Sequence, residues 1–148
     1  MTESPSAEIV RTLIECMTAG RYAEAADLYD DDARIEVMLA LPEPRIVEGR
    51  DLKARLRAAT APRSPMYADI SCDNLRISTA NGGETVFAEW RYTSRVPGRP
   101  EPVVNENAIA VVVRNGRIVE SRDYHNHVMR AVADGAAGEL IETIRRLA

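Results

Sequence analysis

Two residues near the end of the chain have the types and spacing for proton transfer. Asp123 and His125 stand two positions apart in residues 117–128, where apolar and β-branched residues recur with a period of two, as in a strand. Alternation sends Val119, Ser121, Asp123, His125 and His127 to one side, and Ile118, Glu120, Arg122 and Tyr124 to the other. A carboxylate beside an imidazole can do general acid/base chemistry. Asp123 is the group expected to move the proton, while His125 can share it, orient the carboxylate or donate to a developing enolate oxygen. In the two preceding stretches the same period groups Asn105 with Asn107, amides able to bind a carbonyl or hydroxyl. It also groups Trp90 with Tyr92, flat walls of which one carries a phenol donor. Only 5% of the chain is aromatic, so two aromatic side chains on one strand face form a local concentration.

Each of these residues has a structural use as well. Asp123 can pair with a buried arginine or cap a loop, His125 can be a satisfied core histidine, and Trp90 and Tyr92 can be core packing. Asn105 and Asn107 share one face of an otherwise apolar strand, and if that face is inward their amides need partners, which favours contact with ligand or ordered water. His125-Asn126-His127 lacks the third and fourth ligands of a credible metal centre, so no metal is expected. No cofactor is expected either, because neither GxGxxG nor GxxxxGK[ST] occurs.

The elements that must position these groups follow from periodicity. Ile9, Val10, Leu13, Ile14 and Met17 mark a first helix that Gly20 ends, and residues 21–29 a short second one, stopping at the turn-favouring run Asp30 to Asp32. Residues 33–39 read as a strand ended by Pro42 and Pro44, followed by a loop to about Gly49; Glu36 falls on the outer sheet face. Asp51 is placed to cap a third helix that turns Leu52 and Leu56 inward and that Pro62 and Pro65 stop from extending. Four strands then follow, at 66–79, 84–96, 103–114 and 117–128, the last two joined by Asn115-Gly116, the signature of a type I′ hairpin. Residues 138–147 form a final helix with Leu140, Ile141, Ile144 and Leu147 on one face, linked by an Ala- and Gly-rich hinge at 131–138. Helices first and strands last is an α+β order, which disfavours parallel βαβ folds.

Composition narrows the partners. At 148 residues, 45% hydrophobic and 28% charged, the chain is expected to form a single domain over 1–148 rather than a disordered or fibrous polymer. Eighteen arginines and the single Lys53 face 23 acidic residues, for a net charge of −4, and the basic residues form no block. Nucleic acid and anionic membrane are therefore not expected as partners. With no export signal or apolar span in the sequence, and with Cys16 and Cys72 reading as reduced packing thiols, a cytoplasmic location is expected.

Three local features carry a resemblance: Tyr29-Asp30-Asp31-Asp32-Ala33 before the first strand, Val47-Glu48-Gly49-Arg50-Asp51 at the third helix, and Asn115 through Tyr124 across the last hairpin. With the element order, they resemble the nuclear transport factor 2-like superfamily, in its branch of SnoaL-like polyketide cyclases, limonene-epoxide-hydrolase-like proteins and ketosteroid isomerases. The resemblance covers about residues 7–130, leaving a C-terminal helical extension at about 132–148. It implies a cone-shaped, curved, antiparallel-rich sheet wrapped around N-terminal helices, with the Asp123 side facing the cavity and pointing Asn105, Asn107, Ile109 and Val111 inward. A carboxylate in such an apolar cone would have its pKa raised toward neutrality. The position matching the ketosteroid isomerase base is Val37. Of the five epoxide hydrolase positions four hold Ile35, Val37, Trp90 and Tyr92, so only Asp123 is retained.

The resemblance implies a small cofactor-independent cyclase or isomerase of natural-product biosynthesis, acting on a hydrophobic polyketide- or terpenoid-like molecule. The alternatives are a non-catalytic binding protein of the same fold and an assembly module whose cone is filled by its own side chains. It further implies a homodimer through the outer sheet face, where Phe87, Ala108, Ala110, Val112, Ile118 and Tyr124 are expected beside Glu89, Arg91 and Arg122. The last helix is expected either to cover the cone mouth or to pack across the partner.

Overall fold

The computed structural model describes residues 3–148; Met1 and Thr2 of the expected 1–148 domain lie outside the described residues. Helix α1 (Pro5–Thr18) starts where the Ser4 side chain accepts from the Ala7 amide and Pro5 occupies the first turn, where its missing N–H costs no helical bond. It buries Val10, Leu13, Ile14 and Cys16. Gly20, at φ +72°, reverses the chain into α2 (Tyr22–Asp27). Strands β1 (Tyr29–Met38) and β2 (Arg45–Glu48) precede α3 (Gly49–Ala58). After a 3₁₀ turn at Pro65–Tyr67 come β3 (Ile70–Ala80), β4 (Thr85–Ser94), β5 (Val103–Arg114) and β6 (Arg117–Tyr124), then α4 (His127–Ala133) and α5 (Ala137–Leu147).

The six strands form one sheet in the order β2-β1-β6-β5-β4-β3, antiparallel throughout except for the parallel pair β1/β6. Its inner face packs on α1 and α3, joining Val10, Leu13 and Ile14 to Ile35, Val86, Val111 and Ile118 in the main core. Burying each such aliphatic side chain is worth about 1.5–3 kcal/mol, which is what holds the helices in the curl of the sheet. Met66, Val96, Val103 and Ala133 make a second cluster where the 3₁₀ turn meets α4, and Ser64 Oγ donates to Asp134 Oδ1 beside it. The architecture is the expected α+β sheet curled on N-terminal helices with helical additions at the C-terminus. Among the described residues no helix is long and apolar enough to cross a membrane.

Several expectations need correction. The expected loop before Gly49 contains β2, a four-residue edge strand too exposed to show an apolar alternation. Asp30 to Asp32 belong to β1, in a stretch of irregular register between Tyr29 and Arg34 where Asp30 Oδ1 accepts from the Asp32 amide. Glu48 occupies the cap of α3 without a side-chain bond, and Asp51 sits in its first turn. The third strand begins at Ile70 because residues 65–67 turn as 3₁₀.

Strand β6 ends at Tyr124, since Asn126 caps α4 by accepting from the Met129 amide; His127 is helical and donates from Nε2 to the Met38 carbonyl. Consequently α4 fills much of the expected hinge, which shrinks to Asp134–Ala136 around Gly135 at φ +72°. Ile118 is fully buried, not on the outer face. Val113 pairs with Ile118 but Val112 with Glu120, so Val119 is an inserted residue that reverses the phase of the strand. The Asn115-Gly116 turn has the positive φ values of type I′, 51° and 72°.

Candidate functional site

Strand β6 centres the site because it pairs with β1 on one side and β5 on the other. Asp123 stands opposite Val37 and Ile109, so its carboxylate rises from an apolar row; Ser121, opposite Ile35 and Val111, is buried two positions earlier. A cavity of about 270 Å³ opens in front of this face. Helix α1 contributes Leu13, Ile14 and Met17 to its wall, and α3 contributes Leu52 and Leu56. Trp90 and Tyr92 meet edge to face at 5.8 Å, and Tyr67 packs likewise on Tyr92 at 6.0 Å. Each aromatic ring therefore restrains the next.

The side chain of Asp123 is 17% exposed. Burial pushes its carboxyl up to about 6, opposed by the hydrogen bond that Ser121 Oγ donates to Oδ1. Burial pushes His125 down to about 4, helped by the neighbouring guanidinium charges of Arg130 and Arg45. At pH 7 the pair is a carboxylate and a neutral imidazole, 3.8 Å apart from Oδ2 to Nε2. Asp123 is thus set to accept a proton and His125 to offer a neutral N–H. His125 Nδ1 and Trp90 Nε1 are buried without hydrogen-bond partners among the described residues.

Five of the six expected site residues line the cavity: Asp123, His125, Trp90, Tyr92 and Asn107. Asn105 does not. It is buried behind the wall, with Nδ2 donating to Asn107 Oδ1 at 3.3 Å while Asn107 Nδ2 donates to the Asn105 carbonyl at 3.1 Å. Asn105 thus fixes the amide that does reach the cavity. Among the described residues no three His, Cys, Asp or Glu side chains converge as a metal set.

Sequence reasoning missed Tyr29, Tyr67 and four arginines of the lining. Tyr29 is in phase with Ala33, Ile35 and Val37, a signal hidden by the intervening aspartates. Its phenol is pushed far up by burial and the nearby Asp123 charge, while burial raises Tyr92 to about 12. Both hydroxyls therefore stay protonated donors at neutral pH.

The profile of the SnoaL-like domain matches residues 10–121. The chain belongs to the SnoaL-like domain family. The matched span includes Trp90, Tyr92 and Asn107 and stops two residues before Asp123, so the carboxylate and imidazole of this SnoaL-like chain rest on the geometry above. Among solved structures, an M. tuberculosis epoxide hydrolase of the LEH-like kind is similar at 16% identity and TM-score 0.62, covering 93% of this chain and 95% of that one. A protein of Bacillus subtilis provisionally named an isomerase is similar at 22% identity and TM-score 0.70, over 92% and 97%. One of Xanthomonas campestris pv. campestris, provisionally named a polyketide cyclase, is similar at 15% identity and TM-score 0.59, over 95% and 96%. At such identities the SnoaL-like fold is what these neighbours share with the chain. A search of curated proteins gives no match.

Proposed function

We propose that this SnoaL-like domain is a small cofactor-independent enzyme of the cyclase or isomerase type, with Asp123 as the proton-transferring group. The observation that carries the reading is a carboxyl raised to about 6 inside an aromatic-walled cavity of about 270 Å³. Asp123 takes a proton from carbon next to a carbonyl and the C–H electron pair moves into an enolate; the proton then returns at another atom to give an isomer, or, for a cyclase, the enolate carbon bonds to a second carbonyl carbon of the same molecule and the proton goes to the oxygen that receives the displaced C=O electron pair. Neutral His125 and the Trp90 indole N–H, on residues that line the cavity, are the donors assigned to the enolate oxygen, worth about 10²-fold or more in rate when aligned. The aromatic wall and the aliphatic side chains of α1 and α3 support a hydrophobic ring-bearing substrate of polyketide or terpenoid type. The size of the cavity weighs against a cone filled by its own side chains. The outer face, with Phe87 44% and Val104 46% exposed, is proposed as a homodimer surface.

The test is hydrogen–deuterium exchange at the carbon next to the carbonyl of small cyclic ketones such as 2-tetralone, followed by proton NMR in heavy water. Wild-type protein should accelerate exchange, and Asp123→Asn should lose that acceleration while keeping its circular dichroism. Exchange that survives the substitution overturns the assignment of Asp123; a wild type that binds the ketone without accelerating exchange marks a binding protein.

A further inference from the structure

Four arginines border the cavity: Arg45 from β2, Arg55 from α3, Arg63 from the loop after α3 and Arg130 from α4. They come from four separate parts of the chain. Arg130 is paired with Asp134 at 3.6 Å. Arg45, Arg55 and Arg63 are exposed, and none makes an ion pair among the described residues. Elsewhere on the sheet three exposed or half-exposed arginines are paired, Arg34 with Glu36, Arg76 with Glu89 and Arg91 with Glu106, while Arg122 of β6 makes no ion pair among the described residues. The chain as a whole is acidic, yet its cavity sets four arginines against one carboxylate, and that carboxylate is the half-buried Asp123. The rim therefore reverses the sign of the molecule at the one place a ligand must enter.

We propose that the mouth recognises an anionic group and that the ligand is a ring-bearing organic acid, its carboxylate among Arg45, Arg55 and Arg63 and its carbon body directed toward Asp123. This deepens the reading of the cavity as the substrate site and rests on it. Guanidinium suits a carboxylate because its planar fork can donate two parallel hydrogen bonds. Orientation follows from charge: an acid entering head first would bring its anion against ionised Asp123, whereas at the rim the same anion meets Arg45, Arg55 and Arg63, none of which is paired with a carboxylate among the described residues. The positive charges of Arg45 and Arg130 reach inward as far as His125, which they help keep neutral. A group that keeps the imidazole uncharged leaves Asp123 as the single titrating base of the site.

The test uses 2-naphthoate and its neutral counterpart 2-naphthamide, read by quenching of Trp90, the sole tryptophan. Wild-type protein should bind the acid about tenfold more tightly than the amide in about 20 mM salt, with the preference narrowing by about 300 mM as screening grows. The double variant Arg45→Gln/Arg63→Gln should lose most of that preference and bind the amide as before. Equal affinities for acid and amide overturn the anionic mouth while leaving the cavity as a substrate site; so does a preference that survives the double substitution. Failure of both probes to quench Trp90 overturns the proposal too. The Asp123→Asn variant separates the two readings. It should keep the preference for the acid, and a preference kept while wild-type exchange activity is absent sustains the anion site and removes the proposed chemistry.

Discussion

His125 Nε2 stands 3.8 Å from Asp123 Oδ2, and burial acts on the two groups in opposite directions, raising the carboxyl to about 6 and lowering the imidazole to about 4. Each is driven toward its neutral form by the same apolar wall. The consequence at neutral pH is a base without an adjacent cation to hold its proton affinity down. A histidinium at that distance would depress the carboxyl and weaken it as a base.

This opposition should be visible in stability. The folded carboxyl of Asp123 titrates above its unfolded value of 3.8, so its burial cost is absent below about pH 4, grows through about pH 6 and is constant above. Relative to wild type, Asp123→Asn should gain stability by up to about 3 kcal/mol as pH rises across that window. His125 has the other sign: its folded value lies below 6.5, so its contribution is lost as pH falls from about 6.5 to about 4. Relative to wild type, His125→Gln should become progressively more stable on acidification through that range. Urea unfolding at pH 4.5 and pH 7 measures both. A pH-independent difference for either variant contradicts the burial argument for that residue.

Ser121 tunes the base. Its hydroxyl donates to Asp123 Oδ1 and lowers the carboxyl against the effect of burial. Ser121→Ala should move the rising limb of the exchange rate, expected through about pH 6 for wild type, to higher pH. Loss of rate at every pH with an unshifted limb would mean that Ser121 holds structure and not charge.

Gly49 lets α3 sit on β1. A Cβ built there meets the Asp30 carbonyl oxygen at 2.2 Å and the Ala33 amide nitrogen at 2.9 Å, both backbone atoms that cannot swing aside. Gly49→Ala should cost about 1–3 kcal/mol in urea unfolding and loosen the cavity wall carried by Leu52 and Leu56. An unchanged midpoint would show that the helix slides without penalty.

The proposed dimer surface can be charged directly. Phe87 lies on the outer face of β4, opposite Ala110 of β5 and Ser78 of β3. Wild-type protein should sediment as a dimer at micromolar concentration and Phe87→Glu as a folded monomer. A dimer that tolerates the glutamate places the interface elsewhere.

Much of the frame was legible from local pattern. Apolar spacing outlined α1, α5 and the four-strand meander, and Asn115-Gly116 defined its last turn, because each signal lies within a few neighbouring residues. The phase of β6 was not fully legible. A regular hairpin pairs Val113 with Ile118 and would carry Val111 onto Glu120. The inserted Val119 is what places Ser121 there instead, so Asp123 faces inward with Ile109 and Ile118 is buried as well. The resemblance implied an inward Asp123, and alternation carried back from it put Ile118 outside, because alternation cannot detect an extra residue. The end of β6 was lost to capping, since Asn126 draws His127 into a helix. The arginines of the mouth carried no signal, because β2, α3, a loop and α4 bring them together only once the chain is folded.

The parallel pairing of β1 with β6 sets Val37 directly against Asp123, residues separated by most of the polypeptide. No contiguous half of the chain can therefore contain both Val37 and Asp123; the first strand must wait for the last. Closing so long a loop costs chain entropy, and the central place of β6 ties formation of the site to completion of the whole sheet. A chain released short of β6 would lack the strand that joins β1 to β5, and with it the row that carries Asp123 into the cavity.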